Sequence, residues 1–230
     1  MKFTTSIIHL ARCVDRQKLI NDIRRHIPDS KIVNAFEPTW EEKQDVRSIR
    51  GSSVSHLLAF EAACKFDIPH LVLEDDAVVN QSGLRDLVEL DCLPDDCGIL
   101  LVGSETPFAY EAPSEKMAFW EVRHSFHGAH GVLYNTPKLK DTKFLEVAWK
   151  CLSTNHMADS SCCYEGLLAT ALETVGLRAY RLNEMAFTTD PSIVSLRTGK
   201  PVHQRSLRAA SDGPAPKEVK KESPIPFYAE

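Results

Sequence analysis

Three carboxylates stand in a row at Glu74, Asp75 and Asp76, between the apolar runs 71–73 and 77–79. Adjacent like charges repel, and an ionised carboxylate buried without a partner is costly. The stretch before them, "IPHLVL", is nearly continuous in apolar residues, as expected for a strand covered on both faces. In an open α/β sheet, ligands bind outside the carboxyl ends of the strands. The triplet is therefore expected to line a cleft. Carboxylates there are hard oxygen ligands suited to Mg2+ or Mn2+, cations usually held by one or two carboxylates together with substrate phosphates. A dication and a diphosphate would balance the charge. The competing reading is a solvated acidic turn after a strand, because so short a motif recurs by chance. Asp76 is the first choice for metal contact and Glu74 the second. Strand alternation disfavours all three facing one ligand, so Asp75 is expected to point away and hold the loop.

The elements that must position this triplet follow from periodicity. "FTTSIIHL" (3–10) is rich in β-branched residues and reads as a strand. Asp15 is a candidate cap for a helix with Leu19, Ile20, Ile23 and Ile27 on one face. "KIVNAFEP" is a second short strand, so the chain opens β-α-β with parallel strands. Residues 39–50 are polar and read as a surface loop or short helix. Gly51 and Ser52 mark the start of the next helix, which carries Val54, Leu58 and Ala62 in one row with Leu57 beside it. After the acidic triplet, "CGILLVG", "MAFWEV" and "GVLYN" read as strands, and Asn135-Thr136-Pro137 as a helix start. A further helix is expected from near Asp159 to Gly176, followed by the strand "LRAYRL". The expected architecture is α/β, a three-layer α/β/α sandwich around a mixed, mostly parallel sheet.

Composition narrows the class. The chain has 230 residues, 43% hydrophobic and 26% charged, with a formal net charge of −5. That is an ordinary globular balance. The acidic excess argues against broad attraction to nucleic acid, which stays open as a partner but is not indicated by charge. No apolar run reaches the roughly 20 residues of a membrane span. The seven cysteines include no CxxC pair, and "MKFTTSIIHL" has no cleavage-site pattern. Reduced thiols in a cytoplasmic protein are expected. Residues 1–197 read as a single domain, and 198–230, with a lysine run and several prolines, as an extended or disordered polar tail.

The stretch "GSSVSHLLAFEAACKFDIPHLVLEDDAVV" resembles the core pattern of glycosyltransferase family 25. In that pattern a Gly-x-x-x-Ser-His helix start is followed by an apolar strand and Glu-Asp-Asp. Gly51, Ser55, His56, Glu74, Asp75 and Asp76 occupy these places. "SIIHLARCVDRQKLI" is similar to the family's opening strand and helix start, with Leu10 and Arg16 fitting best. "IVNAFEP", "HGAHGVLYN", "HMADSSCCYEGL" (His156 and Asp159) and "DPSIVS" (Ser192 and Ser195) follow in family order, covering residues 3–197. The resemblance implies a GT-A fold that takes a nucleotide-activated sugar, probed first as a UDP-sugar. It implies an acidic motif that holds a divalent metal, and transfer with inversion to a hydroxyl of a saccharide or protein. A modified nucleic-acid base is a further acceptor class. The late segment "LNEMAFTTDPSIVS" lacks a histidine that some relatives place there, which leaves the third metal ligand unassigned.

Under that resemblance, Leu10, Arg12, Arg16, Ser55, His56, Glu74, Asp75, His127 and Gly128 form the donor-binding set, with Asp76 and Glu74 on Mn2+ or Mg2+. Arg12 and Arg16 follow the first strand and suit a diphosphate or base edge; a solvated helix start competes, and for Arg12 it is the stronger reading. Ser55 and His56 face the nucleotide in the family, whereas on pattern alone His56 is a semi-buried, hydrogen-bonded histidine. His127 and His130 flank Gly128 and could line the acceptor side, while Gly128 and Gly131 also suit a turn. Inverting transfer needs one base, for which Asp159 is the candidate, with Glu165 and Asp190 behind it. Asp159 suits a helix N-cap equally well. Two other functions stay open: a metal-dependent phosphoesterase or nucleotidyltransferase, which would want more converging carboxylates, and a non-catalytic nucleotide-sugar or partner-binding module.

Overall fold

A computed structural model describes residues 1–40, 44–104, 119–122, 128, 130–154 and 164–190. The chain opens with β1 (Thr4–His9), a 3-10 turn over Val14–Arg16, α1 (Gln17–His26) and β2 (Lys31–Asn34). There follow α2 (Gln44–Ala63), β3 (His70–Glu74), β4 (Ala77–Val79), α3 (Gln81–Glu89), β5 (Cys97–Gly103) and β6 (Phe119–Val122). The described chain ends with β7 (Gly131–Tyr134), α4 (Thr136–Leu139), α5 (Phe144–Thr154), α6 (Tyr164–Thr174), β8 (Arg178–Leu182) and β9 (Phe187–Thr189).

Seven strands form one sheet in the order β2-β1-β3-β7-β5-β8-β6. The β1–β2, β1–β3 and β5–β8 pairs are parallel. The β3–β7, β5–β7 and β6–β8 pairs are antiparallel. Only β7 and β6 therefore oppose the rest, and the sheet is mixed but mostly parallel. Alternation along the central strands divides the core into two layers. Val72, Ile99, Leu101 and Val132 face one side, against Leu57 and Phe60 of α2, Phe144 of α5 and Leu168 of α6. Leu71, Leu73, Leu100 and Leu133 face the other, against Ile20 and Ile23 of α1 and Leu84 and Leu87 of α3. This is the expected α/β/α sandwich. A separate two-stranded ribbon pairs β4 with β9.

Two local expectations are corrected. Asp15 makes no capping bond; the first turn is 3-10, and α1 begins from Arg16. Gly51 and Ser52 do not start α2, which begins at Gln44 and runs 20 residues. The glycine meets a different need: a Cβ at Gly51 would lie 2.8 Å from the Phe36 carbonyl oxygen, so α2 passes against the segment after β2 only without a side chain there. The short elements α3, β4 and β9 are new, because their brief runs carry too little periodicity to be read. The expected helix start near Asp159 and the tail from residue 198 lie outside the described residues.

Two stability outcomes follow from this packing. Gly83 lies in α3, where an added Cβ would collide with the Met185 carbonyl. Gly83→Ala is expected to lower the urea unfolding free energy by about 1–3 kcal/mol. His70, at the start of β3, is buried with its Nδ1 2.7 Å from the Thr4 hydroxyl, and burial pulls its pKa down to about 4. The unfolded chain binds this proton near pH 6.5 and the folded chain only near 4, so stability falls as pH drops through that window. The loss is on the order of 3 kcal/mol. Urea titrations between pH 7 and pH 4 should show His70→Asn flattening the fall by that amount.

Candidate metal and donor site

β3 lies inside the sheet, paired on one side with parallel β1 and on the other with antiparallel β7. Its carboxyl end delivers Glu74, and the turn to β4 delivers Asp75 and Asp76. The three carboxylates go to different surroundings. Asp75 turns inward and is buried. Its Oδ2 accepts from His9 Nδ1 at 2.7 Å and from the Leu10 N–H at 3.3 Å, while Oδ1 pairs with the buried guanidinium of Arg16. A carboxylate only accepts, so the His9 Nδ1 carries the proton in this contact.

Arg16 also reaches Asp76 Oδ2 at 3.5 Å. Burial works against its charge, yet Asp76 and Asp75 together hold the guanidinium above its ordinary pKa. Glu74 is tied in the same manner from α2. Its Oε1 accepts from Ser52 Oγ at 2.9 Å and lies 3.5 Å from His56 Nε2. Ser52 and His56 are one helical turn apart, so one face of α2 presents both. Each of these two carboxylates thus has one oxygen held by the protein.

The other oxygens converge. Glu74 Oε2 and Asp76 Oδ1 lie 3.7 Å and 3.8 Å from His130 Nδ1. Ligand atoms of Glu74, Asp76 and His130 all fall within 4.8 Å of one another. Among the described residues Asp76 Oδ1 is buried with no hydrogen-bond partner, a costly condition that a cation would relieve. Burial and then the Glu74 charge push the Asp76 carboxyl up to about 6. For Glu74, burial acts upward too, but the facing imidazoles of His130 and His56 outweigh it and hold the carboxyl well below the usual range. Two carboxylate oxygens and an imidazole nitrogen fit a divalent first-row cation, and the nitrogen suits Mn2+ better than Mg2+.

His130 sits one residue before β7, whose pairing sets Gly131 against Leu73. The Glu74 N–H continues this ladder to the His130 carbonyl at 2.9 Å. Sequence reasoning set His130 on the acceptor side and left the third ligand unassigned. The antiparallel insertion of β7 beside β3 moves it to the carboxylates, and no local pattern announces that pairing.

The remaining expected residues fall around this centre. Leu10 touches it through its backbone N–H. Arg12 is half exposed and pairs with Glu37 at 2.8 Å on the rim. The Ser55 hydroxyl accepts from the Phe36 N–H at 2.7 Å and donates to the Gly51 carbonyl at 2.6 Å, tying α2 to the segment after β2. His56 is fully buried and stacks on Tyr164, with ring centroids 4.1 Å apart. Gly128 adopts a left-handed φ of 66°, and its N–H donates to Glu165 Oε1 at 2.8 Å. The β4–β9 register ends at the Ala77–Thr189 pair, and Asp190 follows directly after β9. His127, His156, Asp159, Ser192 and Ser195 lie outside the described residues.

No family model and no curated protein matches the sequence. Solved structures do match the fold. A glycosyltransferase, GlyE of Streptococcus pneumoniae TIGR4, superposes with a TM-score of 0.51 at 13% identity. That match covers 79% of this chain and 46% of GlyE, so the chain spans about half of that protein's length. A glycosyltransferase involved in glycosylation of the major capsid of PBCV-1 gives 0.49 at 12% identity, covering 82% of this chain and 93% of that one. The galactosyltransferase LgtC gives 0.47 at 11% identity, covering 94% and 98%. The fold is glycosyltransferase-like.

Because the proton and a cation compete for Asp76, Mn2+ affinity is expected to rise between pH 5 and pH 7. Asp76→Asn should reduce that slope. Titration of the protein with Mn2+ at a series of pH values, followed by electron paramagnetic resonance of the free ion, measures both.

Proposed function

We propose that this protein is a metal-dependent glycosyltransferase similar to family 25, moving a sugar from a nucleotide-sugar donor, first a UDP-sugar, to a hydroxyl-bearing acceptor. The observation that carries the reading is the convergence of Glu74 Oε2, Asp76 Oδ1 and His130 Nδ1 at the carboxyl end of a central strand. That position is where open α/β sheets bind ligands. The glycosyltransferase-like fold supports the same class of chemistry.

In this reading Glu74, Asp76 and His130 hold Mn2+ or Mg2+. The bound cation supplies positive charge for the leaving nucleoside diphosphate. Leu10, Arg12, Arg16, Ser55, His56, Asp75, His127 and Gly128 make up or support the donor cleft. Among them Asp75 works by bracing the turn, since its oxygens are engaged by His9, Leu10 and Arg16. Ser55 and Gly128 likewise contribute through bonds that shape the cleft. Arg12 sits on the exposed rim with its guanidinium toward Glu37, a polar edge for the donor.

Transfer is a single displacement with inversion. The acceptor oxygen forms its bond to the anomeric carbon as the bond from that carbon to the diphosphate oxygen breaks. The acceptor proton passes to a base, for which Asp159 is proposed. The acceptor is a saccharide or protein hydroxyl, or a modified base. A cytoplasmic setting is part of this reading, in keeping with the free thiols of the described cysteines.

The test is a screen of nucleotide sugars with and without Mn2+, reading donor turnover and acceptor mass. Mn2+-dependent turnover is expected. Outer-shell changes alone cost roughly 10–100-fold, so Asp76→Asn should lower turnover about 100-fold or more with melting intact. Asp159→Asn should keep Mn2+ and donor binding while losing transfer. Tight donor binding without turnover of any donor would instead leave a non-catalytic binding module.

A further inference from the structure

His130 has no regular element of its own to hold it. It lies before β7, and its backbone is pinned at two points. Its N–H donates to the Gly128 carbonyl at 3.0 Å, and its carbonyl accepts the Glu74 N–H at 2.9 Å. Gly128 in turn depends on a residue 37 positions away, because its N–H donates to Glu165 Oε1 at 2.8 Å. Glu165 is the second residue of α6. A hydrogen bond from a backbone N–H to a carboxylate is roughly twice as strong as a neutral one. It therefore suits a glycine whose left-handed backbone gains nothing from packing of its own.

We propose that Glu165 is a positioning residue for His130, so that the first turn of α6 sets the cation affinity of a site it does not touch. This rests on the cation-site reading given above. The chain of contacts runs from Glu165 to Gly128, to His130, to Glu74. The preceding residue, Tyr164, supports the opposite flank. Its ring stacks on His56, which faces the Glu74 oxygen turned away from His130. The Tyr164 hydroxyl also contacts that of Tyr134 in β7, the strand that follows His130. Two adjacent side chains at one helix end thus brace the carboxylate of β3 and the imidazole beside it. Glu165 was a possible base on sequence grounds; its contact with Gly128 assigns it to holding the loop.

The experiment measures Mn2+ binding to the full chain with no nucleotide present, by electron paramagnetic resonance, beside melting curves in chelator. Glu165→Ala is expected to weaken Mn2+ about tenfold with the metal-free melting temperature little changed. Glu165→Gln, which keeps an acceptor oxygen, should retain most of the affinity. Glu165→Ala combined with His130→Ala should bind no more weakly than His130→Ala alone, because both changes remove the same ligand. The proposal is overturned if Glu165→Ala binds Mn2+ as the unaltered protein does. It is equally overturned if the two losses add, or if Glu165→Gln loses as much as Glu165→Ala. Should the alanine variant fail to fold, Glu165→Asp decides, since its shorter reach weakens binding if the contact matters and leaves it unchanged if not. An unaltered protein that binds no Mn2+ removes the cation site and this proposal together. One that binds Mn2+ but transfers no sugar overturns the transferase reading alone.

Discussion

The interaction on which the rest depends is the buried pair of Arg16 and Asp75. Three successive carboxylates at a strand end would repel one another into solvent unless one were neutralised from within. Arg16 takes that part, with His9 and the Leu10 N–H filling the other oxygen of Asp75. Removing one partner of such a pair costs about 3–5 kcal/mol, because the other charge is left buried. The 3-10 turn after β1 is the device that brings Arg16 to this depth. With the middle carboxylate sunk, its neighbours converge on His130.

That partition leaves the two flanking carboxylates partly balanced. Arg16 lies against Asp76 Oδ2, and Ser52 and His56 lie against Glu74 Oε1. The protein supports each carboxylate from behind and leaves its front to His130. A centre neutralised completely by its own side chains would gain little from a cation. Here, among the described residues, Asp76 Oδ1 stays buried without a hydrogen-bond partner, a cost that a cation would relieve.

Most of the scaffold was legible because its strands are long apolar runs and its early β-α-β order forces parallel pairing. "CGILLVG" matches β5 end to end. Helix limits were less legible where a residue serves a contact in place of an end. Gly51 reads as punctuation, but it sits inside α2 to let the Phe36 carbonyl approach. Asp15 reads as a cap, but the turn there is shaped by the descent of Arg16. For the site, alternation along β3 separates Asp75 from its neighbours, and the structure turns Asp75 to Arg16 and His9. His130 was misjudged because its place follows from β7 inserting antiparallel beside β3, a long-range pairing with no signature in the nearby residues. Ser52 was passed over for a similar reason. Its role appears only once α2 is known to continue through it with a side chain facing β3.

The pleat of β3 carries one more implication. Successive residues on a strand face opposite sides, so the count of residues between His70 and the turn has a parity, odd or even. Losing or gaining a single residue there would exchange the two facings, sending Asp75 outward and its flanking acids toward Arg16. Length changes in this short segment should therefore be tolerated in steps of two far better than in steps of one. Descendants of this chain that drift in the loops around it would still keep that spacing as a frame.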